Sequence, residues 1–408
     1  MIRILILGGG FGGIYTLKHL HKFYHQKQNI KLILIDKNNY FLFTPLLHEV
    51  ATGAISFNNI LEPLRETIKC CNIDFFDDEI IRINLKEKNI ETKNLKLFYD
   101  YLVIALGSKT AYYNIPGASN FSFPLKTIDD ALKIKNHIID MFEKTSLNLK
   151  DIGKLLTFVI VGGGATGLEL AGELADLIYK TFSKVYPRNL IDKTKIILIE
   201  KNKELIPQFS SELRKKALER LKKLKIIVLL ERGVIEVGED FIKLDNGETI
   251  KTKTVIWTAG VEPNLPEIIG DIEKDRKNRI IVNEYLQIKN YENVFALGDI
   301  CCFFQNNTPL PQLAQVAFKQ SKTVALNIKN LIENKPLQKF IYKHSGDLIS
   351  IGKFYALGEI KGLNISGIFA WFLWRGVYLI KFISLRGKLK NLFDWILNLF
   401  LLRDITKL

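Results

Sequence analysis

Two glycine-rich stretches have the spacing that binds the pyrophosphate of a dinucleotide. Each follows an apolar run and repeats the pattern Gly-x-Gly-x-x-Gly: Gly8, Gly10 and Gly13, then Gly162, Gly164 and Gly167. The first glycine allows a tight turn, the second lets a phosphate approach the backbone, and the third lets the next helix pack closely with its N-terminal N–H groups toward the anion. One such stretch is weak evidence, but the repeat predicts that the chain holds two dinucleotides.

An acidic residue ends the next predicted strand after each glycine stretch. Asp36 follows the strand predicted at 30–35, and Glu200 follows the strand predicted at 195–199. A carboxylate in this position can accept a hydrogen bond from a ribose hydroxyl. The two acids therefore strengthen the prediction of two separate dinucleotide sites.

The alternation of strands and helices around these residues indicates the α/β class. Strands are predicted within 2–7, 30–35, 73–84, 89–98, 101–106, 155–161, 195–199, 226–230, 254–257 and 293–296, and helices within 14–26, 58–71, 123–147, 168–179, 211–224 and 312–332. Ligands of such folds bind at the carboxyl ends of the strands. Gly107, Gly260 and Asp299 follow three of these strands. They are therefore candidate binding residues, and Asp299 can accept hydrogen bonds from a ribityl chain.

The order of the predicted elements places one nucleotide domain inside the other. We predict two Rossmann-like domains, the first made of 1–150 and 266–360 and the second of 151–265. Insertions of this kind are tolerated where the ends of the inserted domain lie close together. A tail at 361–408 completes the predicted organisation.

The segment at 38–53 is apolar, contains Pro45 and fits neither a strand nor a helix before Leu46. We predict that this segment is a loop that enters the interior. Thr44 and the Pro45 backbone could contact a flat ring in a dinucleotide site, or the segment could simply fill the core, and the sequence leaves both readings open.

The tail combines aromatic residues with positive charge. The whole chain has a net charge of +15, and the tail has eight Lys or Arg against two Asp, together with three of the four Trp. From 388 to 402 a narrow polar stripe of Asn391, Asp394 and Asn398 faces a broad apolar side. This pattern favours amphipathic helices on a membrane surface, with Trp and basic residues at head-group depth, over nucleic-acid binding. A dimer interface or a cap over the core is one alternative, and a single spanning helix is the other.

The cysteines do not form a redox or metal-binding motif. Cys70 and Cys71 are adjacent, as are Cys301 and Cys302, so neither CxxC nor CxxxxC spacing occurs. We predict buried, reduced thiols in a cytosolic protein, without a dithiol shuttle and without a metal. The first predicted strand starts at once, so no cleaved signal segment is expected.

The whole chain resembles the type II NADH:quinone oxidoreductases. The resemblance is carried by the two glycine turns, Phe43-Thr44-Pro45-Leu46-Leu47, Ala105-Leu106-Gly107, Ala296-Leu297-Gly298-Asp299, Ala314-Gln315-Val316-Ala317 and the amphipathic tail. It implies hydride transfer from NADH to FAD and then electron transfer to a membrane quinone, without proton pumping. It also implies a peripheral protein at the cytoplasmic face of the inner cell membrane, bound to the lipid surface, with a homodimer left open.

The resemblance assigns the candidate residues to these ligands. FAD would contact Gly8, Gly10, Gly13, Asp36, Thr44, Pro45, Gly107 and Asp299, and NADH would contact Gly162, Gly164, Gly167, Glu200 and Gly260. Glu200 favours NADH, because its carboxylate would repel the 2′-phosphate of NADPH.

Four further residues are candidates for the chemistry itself. Glu169 and Glu173 share one helix face and either orient the nicotinamide and relay a proton or simply interact with the helix dipole. Gln315 and Lys319 belong to a run that usually reads Ala-Gln-x-Ala-x-Gln in the family, and here Lys319 replaces the last Gln. Its ammonium could donate to a quinone oxygen, or it could point to solvent.

Three other classes of protein are alternative interpretations of the sequence. A sulfide:quinone oxidoreductase needs cysteine spacings that this chain lacks. A soluble NADH-dependent ferredoxin or rubredoxin reductase would not need the tail. A signalling flavoprotein that only binds NADH differs by its lack of turnover. We further expect that a chain cut near Leu363 keeps both nucleotide sites folded.

Overall fold

The computed structural model describes residues 1–25, 27–68, 70, 72–147 and 151–407. Its α-helices, in chain order, are α1 Phe11–Tyr24, α2 Leu47–Val50, α3 Leu64–Thr67, α4 Ala118–Phe121, α5 Ile128–Leu147, α6 Ile152–Leu155, α7 Ala165–Asp176, α8 Arg188–Lys193, α9 Ser211–Lys223, α10 Ala314–Ile332, α11 Ile368–Lys381 and α12 Leu385–Phe400. Three predicted features, the helix end at 26, Cys71 and the domain boundary at 150, lie outside the described residues.

The contacts of the chain divide it into two units. The first unit contains Met1–Leu42, Glu62–Lys109 and Val261–His344, and the second contains Phe43–Leu61, Thr110–Gly260 and Ser345–Leu408. The grouping joins 43–61 and the tail to the second unit. This division does not test the predicted domain boundaries, which stay predictions.

The first unit is built on a mainly parallel sheet. Its strands, in spatial order, are Gln287–Ile288, Tyr291–Ala296, Tyr101–Ile104, Ile2–Leu7, Ile30–Asp36 and Ile73–Asp77. Ile4 to Leu7 are fully buried, as expected for a parallel strand covered on both faces. The chain leaves Ile2–Leu7 first toward Ile30–Asp36 and later returns on the other side as Tyr101–Ile104. Such a switch of direction opens a crevice at the carboxyl end of the central strand, where Gly8 lies.

Smaller elements complete the first unit. A second sheet consists of Glu267–Ile269, Ile80–Asn84, Asn89–Thr92 and Lys96–Phe98, and short strand pairs join Ile280–Ile281 to Cys301–Cys302 and Phe304–Gln305 to Thr308–Pro309. Helix α1 packs along α10, with the rings of Tyr15 and Phe318 4.6 Å apart edge to face.

The second unit repeats the same sheet topology. Its parallel strands, in spatial order, are Phe123–Pro124, Thr254–Trp257, Thr157–Val161, Lys195–Ile199 and Ile226–Leu229. The chain again leaves the central strand, Thr157–Val161, toward one side and returns on the other. Gly162 follows this strand as Gly8 follows Ile2–Leu7, so both glycine turns occupy switch points.

Two antiparallel sheets complete the second unit. One contains Val234–Val237, Phe241–Leu244 and Thr249–Lys251, and the other contains Asp347–Ser350, Ala356–Ile360 and Leu363–Gly367. The turn Asp245-Asn246-Gly247, with Gly247 at φ +86°, joins the antiparallel strands Phe241–Leu244 and Thr249–Lys251. Short strands also occur where the chain passes between units: Tyr40–Leu42, Leu61–Pro63, Ser108–Thr110 and Val261–Pro263.

Two helix predictions need correction. The helix predicted at 58–71 is wrong over most of its described length, which contains a 3₁₀ turn, the strand Leu61–Pro63 and the short α3. Pro63 explains this, because proline disfavours helical backbone in the residue before it. The helix predicted from 123 begins at Ile128, where Thr127 Oγ1 accepts from Asp130 N at 3.2 Å and Asp130 accepts from Thr127 N at 2.8 Å, a reciprocal cap.

None of the helices in the described part of the chain combines the length and the apolarity needed to cross a bilayer.

Candidate dinucleotide sites and a buried acidic cluster

The first glycine turn has the shape that a pyrophosphate requires. Gly8 has φ +101°, and a Cβ there would lie 2.4 Å from the backbone oxygen of Ala105. A Cβ on Gly13 would lie 1.8 Å from Gly8 O, whereas one on Gly10 would meet nothing within 4 Å. Gly10 is also the residue that precedes α1. The turn therefore presents an open backbone and a helix N-terminus to an anion.

Asp36 is tied directly to this turn. Its carboxylate accepts from Gly9 N at 2.6 Å and from Asn38 N at 2.7 Å. Burial raises the pKa of Asp36, and these hydrogen bonds oppose the rise. A carboxylate has about four acceptor sites, so Asp36 can hold the turn and still accept from a ribose hydroxyl.

The turn after Tyr291–Ala296 contains the next predicted site residue. Asp299 Oδ2 accepts from Ser108 Oγ at 2.6 Å, next to Gly107, which has φ +68° and open space at its Cβ position. The buried Gln320 accepts from Gly298 N at 2.8 Å, so α10 fixes this turn from behind. The structure thus brings Gly107 and Asp299 together at the edge of the first unit's sheet.

The polar residues Gln315, Lys319 and Gln320 lie near the start of α10 and have different surroundings from one another. Lys319 is half-buried, donates to the carbonyl oxygen of Lys343, and lies 5.1 Å from the centre of the Tyr342 ring. Burial lowers the pKa of Lys319. Gln315 is half-buried one turn earlier. Gln320, which the family pattern does not predict at this position, makes the internal contact to the Gly298 turn.

The second glycine turn repeats the geometry of the first. Gly162 has φ +113°, and its Cβ would lie 2.9 Å from Ala259, while a Cβ on Gly167 would lie 1.9 Å from Gly162 O. Gly164 has nothing within 4 Å and precedes α7. Gly260 has φ +109°, and a Cβ there would lie 2.1 Å from Tyr113 Oη. Only glycine fits at these crowded positions.

Glu200 repeats the hydrogen bonds of Asp36. It accepts from Gly163 N at 2.6 Å and from Asn202 N at 2.8 Å, as Asp36 does from Gly9 and from the asparagine two residues later. The asparagine was not identified from the sequence, although both strand-end acids are followed by Asn at the second position. The two units therefore contain equivalent sites down to individual hydrogen bonds.

Glu169 lies in the interior of the second unit. It is buried on α7, accepts from Ser350 N at 3.4 Å, and has Oε2 3.7 Å from His48 Nδ1. Burial raises the pKa of Glu169 well above its ordinary value and lowers that of His48 to about 4. Burial therefore favours the neutral form of both groups. The sequence analysis missed His48.

Glu173 has a different environment from Glu169, although both are on α7. Arg403 from the tail donates to Glu173 Oε2 at 2.5 Å and to Thr52 Oγ1 at 3.1 Å. Arg403 Nη2 also lies 3.9 Å from Asp176 Oδ2. These contacts make Glu173 one half of a buried ion pair rather than a simple partner of the helix dipole.

A second buried ion pair connects α11 to the segment after Pro45. Arg375 lies 2.7 Å from Glu49, which is fully buried and also accepts from Trp395 Nε1 at 2.9 Å. The guanidinium lies 4.8, 5.0 and 4.2 Å from the ring centres of Trp371, Trp374 and Trp395. The prediction that these tryptophans lie at head-group depth is wrong, because all three are buried around Arg375.

The tail is consequently part of the second unit's core. Cutting the chain near Leu363 would remove Arg375 and Arg403 and leave Glu49 and Glu173 without these cations. These contacts argue against the expectation that such a chain keeps both nucleotide sites folded, since an unpaired buried charge is strongly destabilising.

The segment at 38–53 enters the interior as predicted. Leu46 to Ala51 are buried, and Phe43 stacks on Phe382 with ring centres 4.2 Å apart. Thr44 and Pro45 begin a 3₁₀ turn and are half-buried. Their proposed contact with a flat ring stays a prediction.

The cysteines match the prediction in part. Cys301 and Cys302 are buried, and burial raises their pKa values to about 12 and about 11, so these thiols are unreactive. Cys70 is only half-buried, contrary to the prediction, because it lies at the end of the first unit's sheet beside α1.

Comparison with known proteins agrees with this geometry. Residues 2–321 match the family model for pyridine nucleotide-disulphide oxidoreductases, and residues 344–404 match the NDH2 C-terminal domain. The chain is 33% identical to "Probable NADH dehydrogenase" of Dictyostelium discoideum, over 99% of this chain and 91% of that protein. It is 31% identical to the type II NADH:quinone oxidoreductase of Haemophilus influenzae, over 96% and 95%. The structure of NDH2 from Plasmodium falciparum in complex with NADH has the same fold, with a TM-score of 0.92, 24% identity and 100% of both chains covered.

The fold, the two matching glycine turns and the family model place the chain among the pyridine nucleotide-disulphide oxidoreductases, which use a flavin and a nicotinamide nucleotide. Within this class it belongs to the type II NADH:quinone oxidoreductase family.

Proposed function

We propose that this chain holds FAD in its first unit and NADH in its second, and transfers two electrons from NADH to a membrane quinone without pumping protons. The observation that carries the proposal is the pair of equivalent sites, one in each unit of a chain that belongs to this family. A bound flavin would supply the redox chemistry of this reaction, taking up a hydride from the nicotinamide and giving two electrons to the quinone.

The residues of the first unit fit FAD. Only glycine fits at positions 8 and 13, because a side chain there would collide with the backbone. The open space beside Gly10 leaves room for a pyrophosphate at the start of α1. Asp36 would accept from the ribose, and Asp299 with Gly107 would contact the ribityl chain and the ring. Thr44 and Pro45, which belong to the second unit, stay candidate ring contacts on the family resemblance alone. Gln315 and Lys319 are proposed to contact the quinone.

The residues of the second unit fit NADH. Gly162, Gly164 and Gly167 would bind its pyrophosphate, Glu200 its ribose, and Gly260 would lie near the nicotinamide. Glu200 selects against a 2′-phosphate by charge repulsion.

Glu169 is proposed to hold the proton that quinone reduction consumes. Burial raises the pKa of its carboxyl and so favours the protonated form, and the buried His48 lies beside it, with Nδ1 3.7 Å from Glu169 Oε2. Glu173 is proposed to position α7 through Arg403, without touching the reacting atoms.

The exposed apolar face of the tail supports peripheral binding to a lipid surface. The exposed residues of α11 and α12 include Phe369, Phe372, Ile380, Phe393 and Phe400. A patch of this kind marks a membrane or protein interface. We propose the bilayer at the cytoplasmic face of the inner cell membrane, and a homodimer through the same face is the competing reading, which the mass of the particle in detergent distinguishes.

Anaerobic mixing tests the proposed function directly. The purified yellow protein should be bleached by NADH and should recover its colour on addition of a soluble quinone. Protein that contains no flavin, or reduced protein that never returns its electrons to a quinone, would contradict the proposal. A protein that binds NADH without turnover would instead belong to the signalling alternative.

Replacing Glu200 by Gln should weaken the preference for NADH. We expect the ratio of flavin reduction rates with NADH and NADPH to fall by about ten-fold, equivalent to about 1.4 kcal/mol, because the repelling charge is gone. Stopped-flow reduction at limiting nucleotide measures the ratio. Glu239→Gln, at an exposed ion pair of the same unit, is the control. Equal ratios in wild type and E200Q would exclude Glu200 from the selection.

Replacing Glu169 by Gln should slow quinone turnover by about 10²-fold, the lower end of the range for general acid–base catalysis, with flavin content unchanged. It should also change the pH dependence of stability. The native carboxyl binds its proton more tightly than the unfolded one, so wild type loses stability relative to E169Q as the pH rises above the ordinary pKa of a glutamate carboxyl. Steady-state kinetics and urea unfolding measure the two effects.

Glu173→Gln serves as the comparison for this test. It should lower stability through Arg403 while turnover per folded molecule stays near wild type. Unchanged hydride transfer and unchanged quinone turnover in E169Q would make both acids structural.

A further inference from the structure

A cluster of metal-ligating side chains lies at the far end of α1 from the glycine turn. His21 Nε2 is 3.0 Å from His25 Nδ1, and His25 Nδ1 is 3.3 Å from Cys70 Sγ. All three atoms lie within 4.8 Å of one another. The cluster belongs to the first unit and has no part in the proposed electron transfer.

The sequence and the fold each supply part of this cluster. His21 lies in the last turn of α1 and His25, which directly follows the helix, keeps helical backbone, so their rings share one face. Cys70 is distant in sequence from the two histidines and lies just before the strand Ile73–Asp77. Only the packing of this segment against the end of α1 brings the thiol to the imidazoles.

The neighbouring contacts hold the third ligand in place. Asn72 donates to the carbonyl oxygen of Tyr24, the last residue of α1, at 2.8 Å. The Cys70 thiol donates to Asn72 Oδ1 at 3.3 Å. Leu32 N donates to Asn72 O at 3.0 Å, which ties the same residue to the central sheet. Asn72 therefore fixes the thiol against the helix end that bears the two histidines.

The distances suit one tetrahedral ion. With Zn–N of about 2.0–2.1 Å and Zn–S of about 2.3 Å, tetrahedral geometry separates ligand atoms by about 3.3–3.6 Å. Two of the observed separations, 3.0 and 3.3 Å, are at or slightly below this range, and the third, between His21 and Cys70, is at most 4.8 Å. Small rotations of the side chains, with the His25 ring exposed, would bring all three atoms onto one ion. Two imidazoles and one thiolate are the donor set of a borderline-soft first-row ion rather than of Ca²⁺ or Mg²⁺.

We propose that His21, His25 and Cys70 bind one Zn²⁺ ion per chain, with water in the fourth position. On binding, the Cys70 thiol loses its proton to solvent, both imidazoles bind as neutral ligands, and no oxidation occurs. The ion joins the end of α1 to the entry of Ile73–Asp77. Its role is to stabilise the first unit from the side opposite the glycine turn.

Zinc titration of the flavin-loaded protein in competition with a chromophoric chelator tests the proposal. We expect one site per chain in wild type. Loss of an outer-shell partner alone usually costs about 10- to 100-fold in metal affinity, so H21A, H25A and C70S should each lose at least this much. His19→Gln, on the same helix but outside the cluster, should bind zinc as wild type does.

Two further readouts separate a metal site from misfolding and from a hydrogen-bonded thiol. Zinc should protect Cys70 of the wild type from alkylation, assigned by fragment-ion mass spectrometry. It should also raise the melting temperature of wild type and H19Q but not of C70S. Variants that keep wild-type flavin content and zinc-free melting are folded. Zinc affinity equal to wild type in C70S, or alkylation of Cys70 at one rate with and without zinc, would overturn the proposal.

Discussion

Replacing Arg375 by Met is expected to lower the free energy of unfolding by about 3–5 kcal/mol, the usual cost of removing one partner of a buried ion pair. Glu49 is fully buried, and its bond from Trp395 does not neutralise its charge. The variant also loses the contacts of the guanidinium with three tryptophan rings. Urea unfolding monitored by tryptophan fluorescence measures the loss.

A double mutant separates the charge effect from packing. Glu49→Gln removes the buried charge and retains an acceptor for Trp395. Adding it to R375M should restore much of the stability, because pairs of neutral groups of similar volume often replace a buried ion pair at little cost. An R375M protein as stable as wild type, or a double mutant with simply additive losses, would contradict this account of the pair.

Replacing Phe369, Phe393 and Phe400 by Ser should abolish binding to anionic liposomes. These side chains are 84%, 62% and 81% exposed. Burying one Phe contributes about 1.5–3 kcal/mol, so three should contribute roughly 5–9 kcal/mol to membrane binding. Such a loss corresponds to more than about 10³-fold in affinity. Flavin content should be unchanged, because none of the three contributes to the buried core.

Co-sedimentation with liposomes, together with activity on soluble and long-chain quinones, measures this effect. The matched control changes three exposed phenylalanines outside the tail, Phe98, Phe121 and Phe304, to Ser. The tail variant should keep activity with a soluble quinone and lose most activity with a long-chain quinone in vesicles. If it still pellets with vesicles, the apolar face does not bind lipid. If it instead changes the mass of the lipid-free particle, the face joins two copies of the chain.

The two nucleotide turns could be predicted from the sequence because their determinants are local. A glycine with positive φ, an apolar strand before it and an acid at the next strand end lie within one strand-helix-strand unit. The structure places Asp36 and Glu200 on the backbone of their own turns, 2.6 Å from Gly9 N and Gly163 N. The short-range pattern left little for tertiary packing to decide.

The orientation of the tail was decided only by tertiary structure. The sequence shows that Asn391, Asp394 and Asn398 share one side of a helix, but periodicity cannot say which side faces the protein. In the structure the polar side faces inward: Asn391 donates to Asn59 O at 2.8 Å, and Asp394 accepts from Asn59 Nδ2 at 2.6 Å. The phenylalanines consequently face outward.

The same limit applies to the charged residues of the interior. Arg375 appears in the sequence as an interruption of an apolar run, and its partner Glu49 lies in a segment that pattern analysis could only describe as a loop. His48 and Glu169 likewise acquire their shifted pKa values from burial, and Glu173 acquires its partner Arg403 from a residue far along the chain. The sequence by itself determined the glycine turns and their acids, because these depend on neighbours in the chain. Tertiary structure alone decided the buried ion pairs, the raised pKa of Glu169 and the outward apolar face, because each depends on which distant segments exclude water together.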